Sequence, residues 1–140
     1  MHYWKGLDAV PADMAPTVVT IGNFDGVHLG HCEVLDAAVT QAKARSAQSV
    51  VITFDPHPAL VHRPDNAPEL IMGIADRIDT LASVGLDATL MIHYTLDFAD
   101  QSAEEFVRSI IVEKLHAVAV VVGHDVRFGR NNSGEIGRAH

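Results

Sequence analysis

The sequence predicts an α/β fold of the Rossmann-like kind, a parallel sheet with helices on both faces. Two observations carry this reading. Apolar or β-branched runs at 17–21, 49–54, 88–93 and 117–122 alternate with stretches of helical spacing, giving the order βαβαβαβ, which implies a mostly parallel sheet with right-handed crossovers. The second and fourth runs, V-V-I-T-F and A-V-A-V-V-V, are continuously apolar, as expected of strands buried on both faces.

Residues 2–16 contain Tyr3, Trp4 and two prolines without a clear period. They read as a lead-in that packs Trp4 and carries no chemistry. After the first strand, Leu35, Ala38, Val39 and Ala42 recur at helical spacing, predicting a helix that begins near Leu29 and fades around Arg45-Ser46. Four prolines between Asp55 and Gly73 exclude a helix or an inner strand there. A loop of that length is a lid, a binding loop or a plain connection, and composition alone does not separate these. Ile74, Ile78, Leu81 and Ala82 make the next helical stripe, ended by Gly85 in the place of a left-handed cap. Ser102 and Glu105 form a capping box ahead of Phe106, Val107, Ile110 and Ile111, and Lys114 lies in that helix's last turn.

With 140 residues, 48% of them hydrophobic, the chain can bury one ordinary core, so a single domain is expected. The longest apolar run, 117–122, is far too short to cross a bilayer, and no apolar signal segment follows Lys5. A cytoplasmic protein without a membrane partner is the expectation. Cys32 is the only cysteine, so no internal disulfide can form. The formal net charge of −8 argues against a general nucleic-acid-binding face. Any phosphate site must then be built locally from backbone N–H groups, histidines, a metal ion and a few arginines, and Arg127, Arg130 and Arg138 cluster near the end of the chain. The nine histidines form no C-x-x-C or H-E-x-x-H pattern, so zinc is not favoured.

The chemistry concentrates in residues 20–31, T-I-G-N-F-D-G-V-H-L-G-H, between the first strand and the first helix. Gly22, Gly26 and Gly30 allow a tight turn and close approach of a ligand, and a helix start directs unpaired N–H groups outward. His28 and His31, three residues apart, can share one pocket, and such a pair at a helix N-terminus suits a phosphate. The same glycines could also be ordinary turn punctuation.

H-x-G-H after a first strand resembles the signature of the nucleotidylyltransferase superfamily, and the longer G-N-F-D-G-V-H-L-G-H resembles the bacterial FAD synthetases. T-F-D-P-H-P at 53–58 matches that family residue for residue, and G-H-D-V-R-F-G at 123–129 is similar to its G-x-D-F-R-F-G. Val126 departs from the family's usual aromatic, and 131–134 match only loosely. Each motif starts at the C-terminal end of a predicted strand, so the three are expected to converge on one pocket.

The resemblance implies transfer of AMP from ATP to FMN, giving FAD and pyrophosphate. His28 and His31 would bind the transferring phosphates. Gly22, Asn23, Phe24, Gly30 and Arg127 would lie along the nucleotide, while Phe54, Asp55, Pro56, His57, Pro58 and Phe128 would bound the flavin. Asp125 would hold Mg²⁺. The family's module continues with a further strand and a Ser/Thr–Arg motif, then a riboflavin kinase domain, so this chain is expected to be a C-terminally truncated module. An adenylyltransferase with another acceptor, or a fragment that binds FMN or ATP without turnover, are the alternatives.

Overall fold

Five parallel strands form the sheet that organises the chain, in the order β1-β4-β3-β2-β5. They are β1 (His2–Lys5), β2 (Thr17–Ile21), β3 (Gln48–Asp55), β4 (Ala88–His93) and β5 (Ala117–Val121). The computed structural model describes residues 1–22, 24, 29–56, 61–62, 65, 73–122, 127–128 and 134–135, with backbone alone at 29–32, 127–128 and 134–135. Helix α1 (Leu29–Ala44) joins β2 to β3, and α2 (Ile74–Val84) precedes β4. After β4 come a short helix, α3 (Leu96–Ala99), and α4 (Ala103–Phe106), which runs on as a π-wound segment over Val107–Lys114. There Leu115 N–H reaches back five residues, to the Ile110 carbonyl at 3.0 Å.

In-register pairing gives the sheet two distinct faces. Val19 pairs with Val50 and Ile21 with Ile52, and Ile52 pairs in turn with Leu90, so these side chains share one face. They form the main core with Trp4, Phe106, Ile110, Ile111 and Leu115. The other face is covered by α1 and α2. Val51 packs there with Phe24, Leu35, Leu81 and Leu86, and Val18 and Val121 pack with Ala38 and Ala42. The expected helix cover on both faces is therefore present.

Several expectations from the sequence hold. β3 is buried along its whole middle, α1 starts at Leu29, Gly85 caps α2 at φ +100°, and Ser102 accepts from Glu105 N–H at 3.1 Å. Trp4 is buried in the main core.

Others need correction. The lead-in is not without regular structure: residues 2–5 are the edge strand β1, which pairs with β4 through Trp4 and Leu90. Three polar or charged neighbours within residues 2–8, His2, Lys5 and Asp8, hide that strand from a periodicity reading. On α2 the buried residues are Arg77 and Leu81, while Ile74 and Ala82 are exposed, so the helix is rotated from the expected stripe. β5 is not buried on both faces, since Val118 stays 49% exposed, and β2 is its sole strand partner among the described residues. An apolar edge of this kind is a template for pairing with another chain. Val118→Lys should therefore reduce concentration-dependent self-association in sedimentation experiments and leave the melting temperature nearly unchanged. An unaltered association state in a solution where the parent chain self-associates would contradict this role for the edge.

Candidate active site

The chain turns from one side of the sheet to the other at β2. From β2 it passes through α1 to β3 and then β4, and it returns across the opposite face to place β5 on the far side of β2. The topological switch therefore lies between β2 and β5, and ligands of open α/β sheets bind beyond the carboxyl ends of strands at such a point. The segments that follow β2, β5 and β3 begin at three neighbouring strand ends. Those are the segments that carry the three sequence motifs.

At the end of β2, Gly22 N–H donates to the Ile52 carbonyl at 3.1 Å and the chain then leaves the sheet. A Cβ on Gly22 would lie 2.8 Å from two ring carbons of Phe24, closer than real side chains approach. Phe24 itself has a left-handed backbone, φ 52°, and its ring is only 3% exposed beneath α1 and α2. The glycine is thus required by close packing of the turn on itself. Gly22→Ala should cost about 1–3 kcal/mol, the scale of overpacking a filled site, and should be read as a lowered melting temperature. An unchanged melt would show that the ring is free to move away.

α1 receives the chain from this turn. Its first turn holds Gly30 and His31 and no acidic residue, so its unpaired N–H groups meet no carboxylate of their own helix. Of the other expected site residues, Arg127 and Phe128 lie on β6 (Arg127–Phe128), which pairs antiparallel with β7 (Gly134–Glu135). Asn23, His28, His57, Pro58 and Asp125 lie outside the described residues.

The end of β3 is held from both sides. Tyr94 N–H donates to the Asp55 carbonyl at 3.0 Å, and the Asp55–Pro56 peptide is cis. Arg77, reaching from α2 and 2% exposed, donates from Nη1 to Thr53 Oγ1 at 3.1 Å and to the Phe54 carbonyl at 3.0 Å. Among the described residues, its Nε and the Thr20 hydroxyl oxygen are buried without a hydrogen-bond partner.

Phe54 lies on the opposite face, 8% exposed, among aromatic rings. Tyr94 meets it edge-on with centroids 5.5 Å apart, and Phe98 lies 6.2 Å away. Phe98 also contacts Tyr94 at 5.8 Å and Phe106 at 6.0 Å. His62, from the proline-rich stretch, places Nε2 2.6 Å from the Tyr94 hydroxyl. Burial raises the pKa of the Tyr94 phenol above its ordinary value, so it remains protonated at neutral pH. The Tyr3 phenol is raised as well, first by burial and then by the Asp55 carboxylate, with Arg77 opposing.

This grouping includes residues that the sequence reading passed over. Arg77 had a signal: it stands four residues before Leu81, on the apolar side of a helix where a charge is unexpected. Tyr94 and Phe98 follow the end of β4, the strand end that no motif marked. His62 had no signal beyond its place in a long loop.

A parallel five-stranded sheet with helices on both faces and a switch point between β2 and β5 defines an α/β protein of the doubly wound, Rossmann-like class. The chain belongs to the FAD synthetase family, whose model matches residues 10–140. It is 33% identical over 136 residues to a bifunctional riboflavin kinase/FMN adenylyltransferase of Buchnera aphidicola, covering 97% of this chain and 44% of that one. The protein of the same description from Escherichia coli is 33% identical over 118 residues, covering 84% of this chain and 38% of that one. The chain thus spans less than half the length of these relatives. A crystal structure described as a macrolide-efflux protein from Streptococcus pneumoniae superposes with a TM-score of 0.83 at 26% identity, covering 95% of this chain and 44% of that one. Among the described residues of the present chain, no helix is long and apolar enough to cross a membrane.

Proposed function

We propose that this chain carries an FMN adenylyltransferase site, which moves AMP from ATP to the phosphate of FMN and releases pyrophosphate. The observation that carries the reading is the strand order. It sets the glycine turn after β2, with His31 in the first turn of α1, beside the end of β3 that leads into D-P-H-P. The names of the curated relatives, riboflavin kinase/FMN adenylyltransferase, support the choice of FMN as acceptor.

No protein nucleophile is needed. An oxygen of the FMN phosphate attacks the α-phosphorus of ATP, a new P–O bond forms, and the bond to the β-phosphate breaks. The chain's task is to align the two phosphates and to stabilise charge as it moves. In this reading His28 and His31 donate to the transferring phosphate, and the N–H groups at the start of α1 hold its oxygens. Gly22, Asn23, Phe24, Gly30 and Arg127 follow the nucleotide. Phe24 would contribute backbone, since its ring is in the core. Phe54, Asp55, Pro56, His57, Pro58 and Phe128 bound the flavin, Phe54 through its backbone since its ring is in the core, and the half-buried rings of Tyr94 and Phe98 extend that wall.

For the cation, the chain offers Asp125, shortly after β5 in sequence, a hard oxygen donor of the type Mg²⁺ takes; β5 itself is the neighbour of β2. Bound there, Mg²⁺ would offset the charge of the leaving pyrophosphate.

The test is to incubate the chain with FMN, ATP and Mg²⁺ and to separate the flavins by chromatography. FAD and pyrophosphate in equal amounts are expected. Unconverted FMN at saturating ATP, alongside adenylylation of a different phosphate acceptor, would replace FMN in this account.

A further inference from the structure

The hydrogen bonds at the sheet's carboxyl end show what Arg77 replaces. Backbone groups along a strand point alternately to the two neighbours, so the Ile52 carbonyl, which accepts from Gly22, faces β2. The Asp55 carbonyl, which accepts from Tyr94, faces β4. By the same alternation the Phe54 carbonyl faces the β2 side, where the chain has already left the sheet at Gly22. Arg77 Nη1 fills that position and donates to the carbonyl, while also holding Thr53 Oγ1. The guanidinium is a substitute for the missing continuation of β2.

A surface residue would do this at little cost, but Arg77 is 2% exposed, and no carboxylate is in ion-pair range of it among the described residues. A buried guanidinium that, among the described residues, has no carboxylate partner and one N–H unsatisfied is expensive to keep, which asks for a return beyond packing. The return is available at this location. The cation holds the end of β3 through Thr53 and Phe54, immediately before Asp55-Pro56.

Building on the FMN adenylyltransferase reading, we propose that Arg77 is a positioning residue for flavin binding, acting through the backbone of Phe54 and the hydroxyl of Thr53. It does not touch the reacting phosphates. Its loss should therefore weaken the ligand bounded by the loop after β3 and spare the one held by α1 and the glycine turn.

The experiment compares the parent chain with Arg77→Met, Arg77→Lys and Thr53→Val by FMN fluorescence titration, ATP calorimetry and thermal melting. Arg77→Met is expected to raise the FMN Kd about tenfold, the scale of one hydrogen bond from a charged donor, and to change the ATP Kd less than twofold. Arg77→Lys should recover part of the FMN affinity, because an ammonium can still reach one acceptor. Equal FMN affinity in folded Arg77→Met and the parent, or equal losses for both ligands, overturns the proposal. If Arg77→Met is unfolded at the assay temperature, Thr53→Val decides. It keeps the guanidinium and a β-branched side chain, and it should weaken FMN about threefold with ATP unchanged. No change in FMN affinity there also overturns the proposal. A parent chain that binds no FMN would refute the functional reading, a result distinct from either outcome for Arg77.

Discussion

His28→Ala and His31→Ala are each expected to lower the turnover number for FAD formation by about 10²–10³-fold, with smaller changes in the KM values. The scale is that of removing one preorganised donor from a site where charge develops, about 3 kcal/mol of transition-state stabilisation. The effect should fall on turnover, because no covalent intermediate divides the reaction and alignment of the phosphates is most of the catalysis. Two features support placing His31 in that role: it sits in the first turn of a sixteen-residue helix, and that turn has no acidic residue to compete for its N–H groups. Each variant should melt with the parent. Normal turnover in both would end the assignment of the transferring phosphate to the start of α1.

Phe106→Ala should have the largest effect on stability, about 3–5 kcal/mol. Phe106 is 1% exposed and lies in the main core with Ile110, Ile111 and Leu115, while its ring meets Phe98 edge-on. Truncation leaves a cavity between the main-core face of the sheet and the helix that covers it, and removes the support of Phe98, which in turn contacts Tyr94 and Phe54. Denaturant unfolding measures the first consequence, and the variant's FMN affinity, taken where it is still folded, measures the second. Leu96→Ala is the control: Leu96 is the most exposed large apolar side chain among the described residues, and its truncation should fall within about 0.5 kcal/mol. Equal losses in the two variants would show that the aromatic group is not part of the core's support.

Much of this architecture was legible in the residues because burial leaves a pattern. β3 is mostly apolar and buried throughout its middle since both of its faces are covered, and α1 repeats Leu35, Ala38 and Ala42 because those positions face one sheet. What escaped the reading had its pattern broken by circumstance. β1 is an edge strand with a single buried residue, Trp4, and one residue has no period. β5 reads as a strand buried on both faces although it is only partly buried, since an apolar run does not report how much cover a strand receives. α2 was placed correctly in sequence but misjudged in rotation, because a charged residue, Arg77, occupies the buried side that a hydrophobic stripe would mark.

The site divides in the same way. The strand ends that carry 20–31, 53–58 and 123–129 are adjacent, as convergence of the motifs requires, and that adjacency follows from strand order alone. The roles of individual side chains do not follow from it. Phe24 and Phe54 look from the sequence like ring contacts for ligands, yet both rings are largely enclosed by the core, because aromatic residues next to a glycine turn or a strand end serve packing as readily as recognition. Arg77, Tyr94 and Phe98 come from segments with no motif. They join the site through tertiary hydrogen bonds and ring contacts that no local spacing encodes.

The central claim is that ATP and FMN bind together at the carboxyl ends of β2, β3 and β5. Amide hydrogen exchange of the chain with and without both ligands tests it most directly. The account predicts added protection in peptides spanning 20–31 and 53–62, with exchange at 45–49 and 85–87, at the opposite ends of the strands, unchanged. Protection confined to those opposite ends, or none anywhere at saturating ligand, would contradict it.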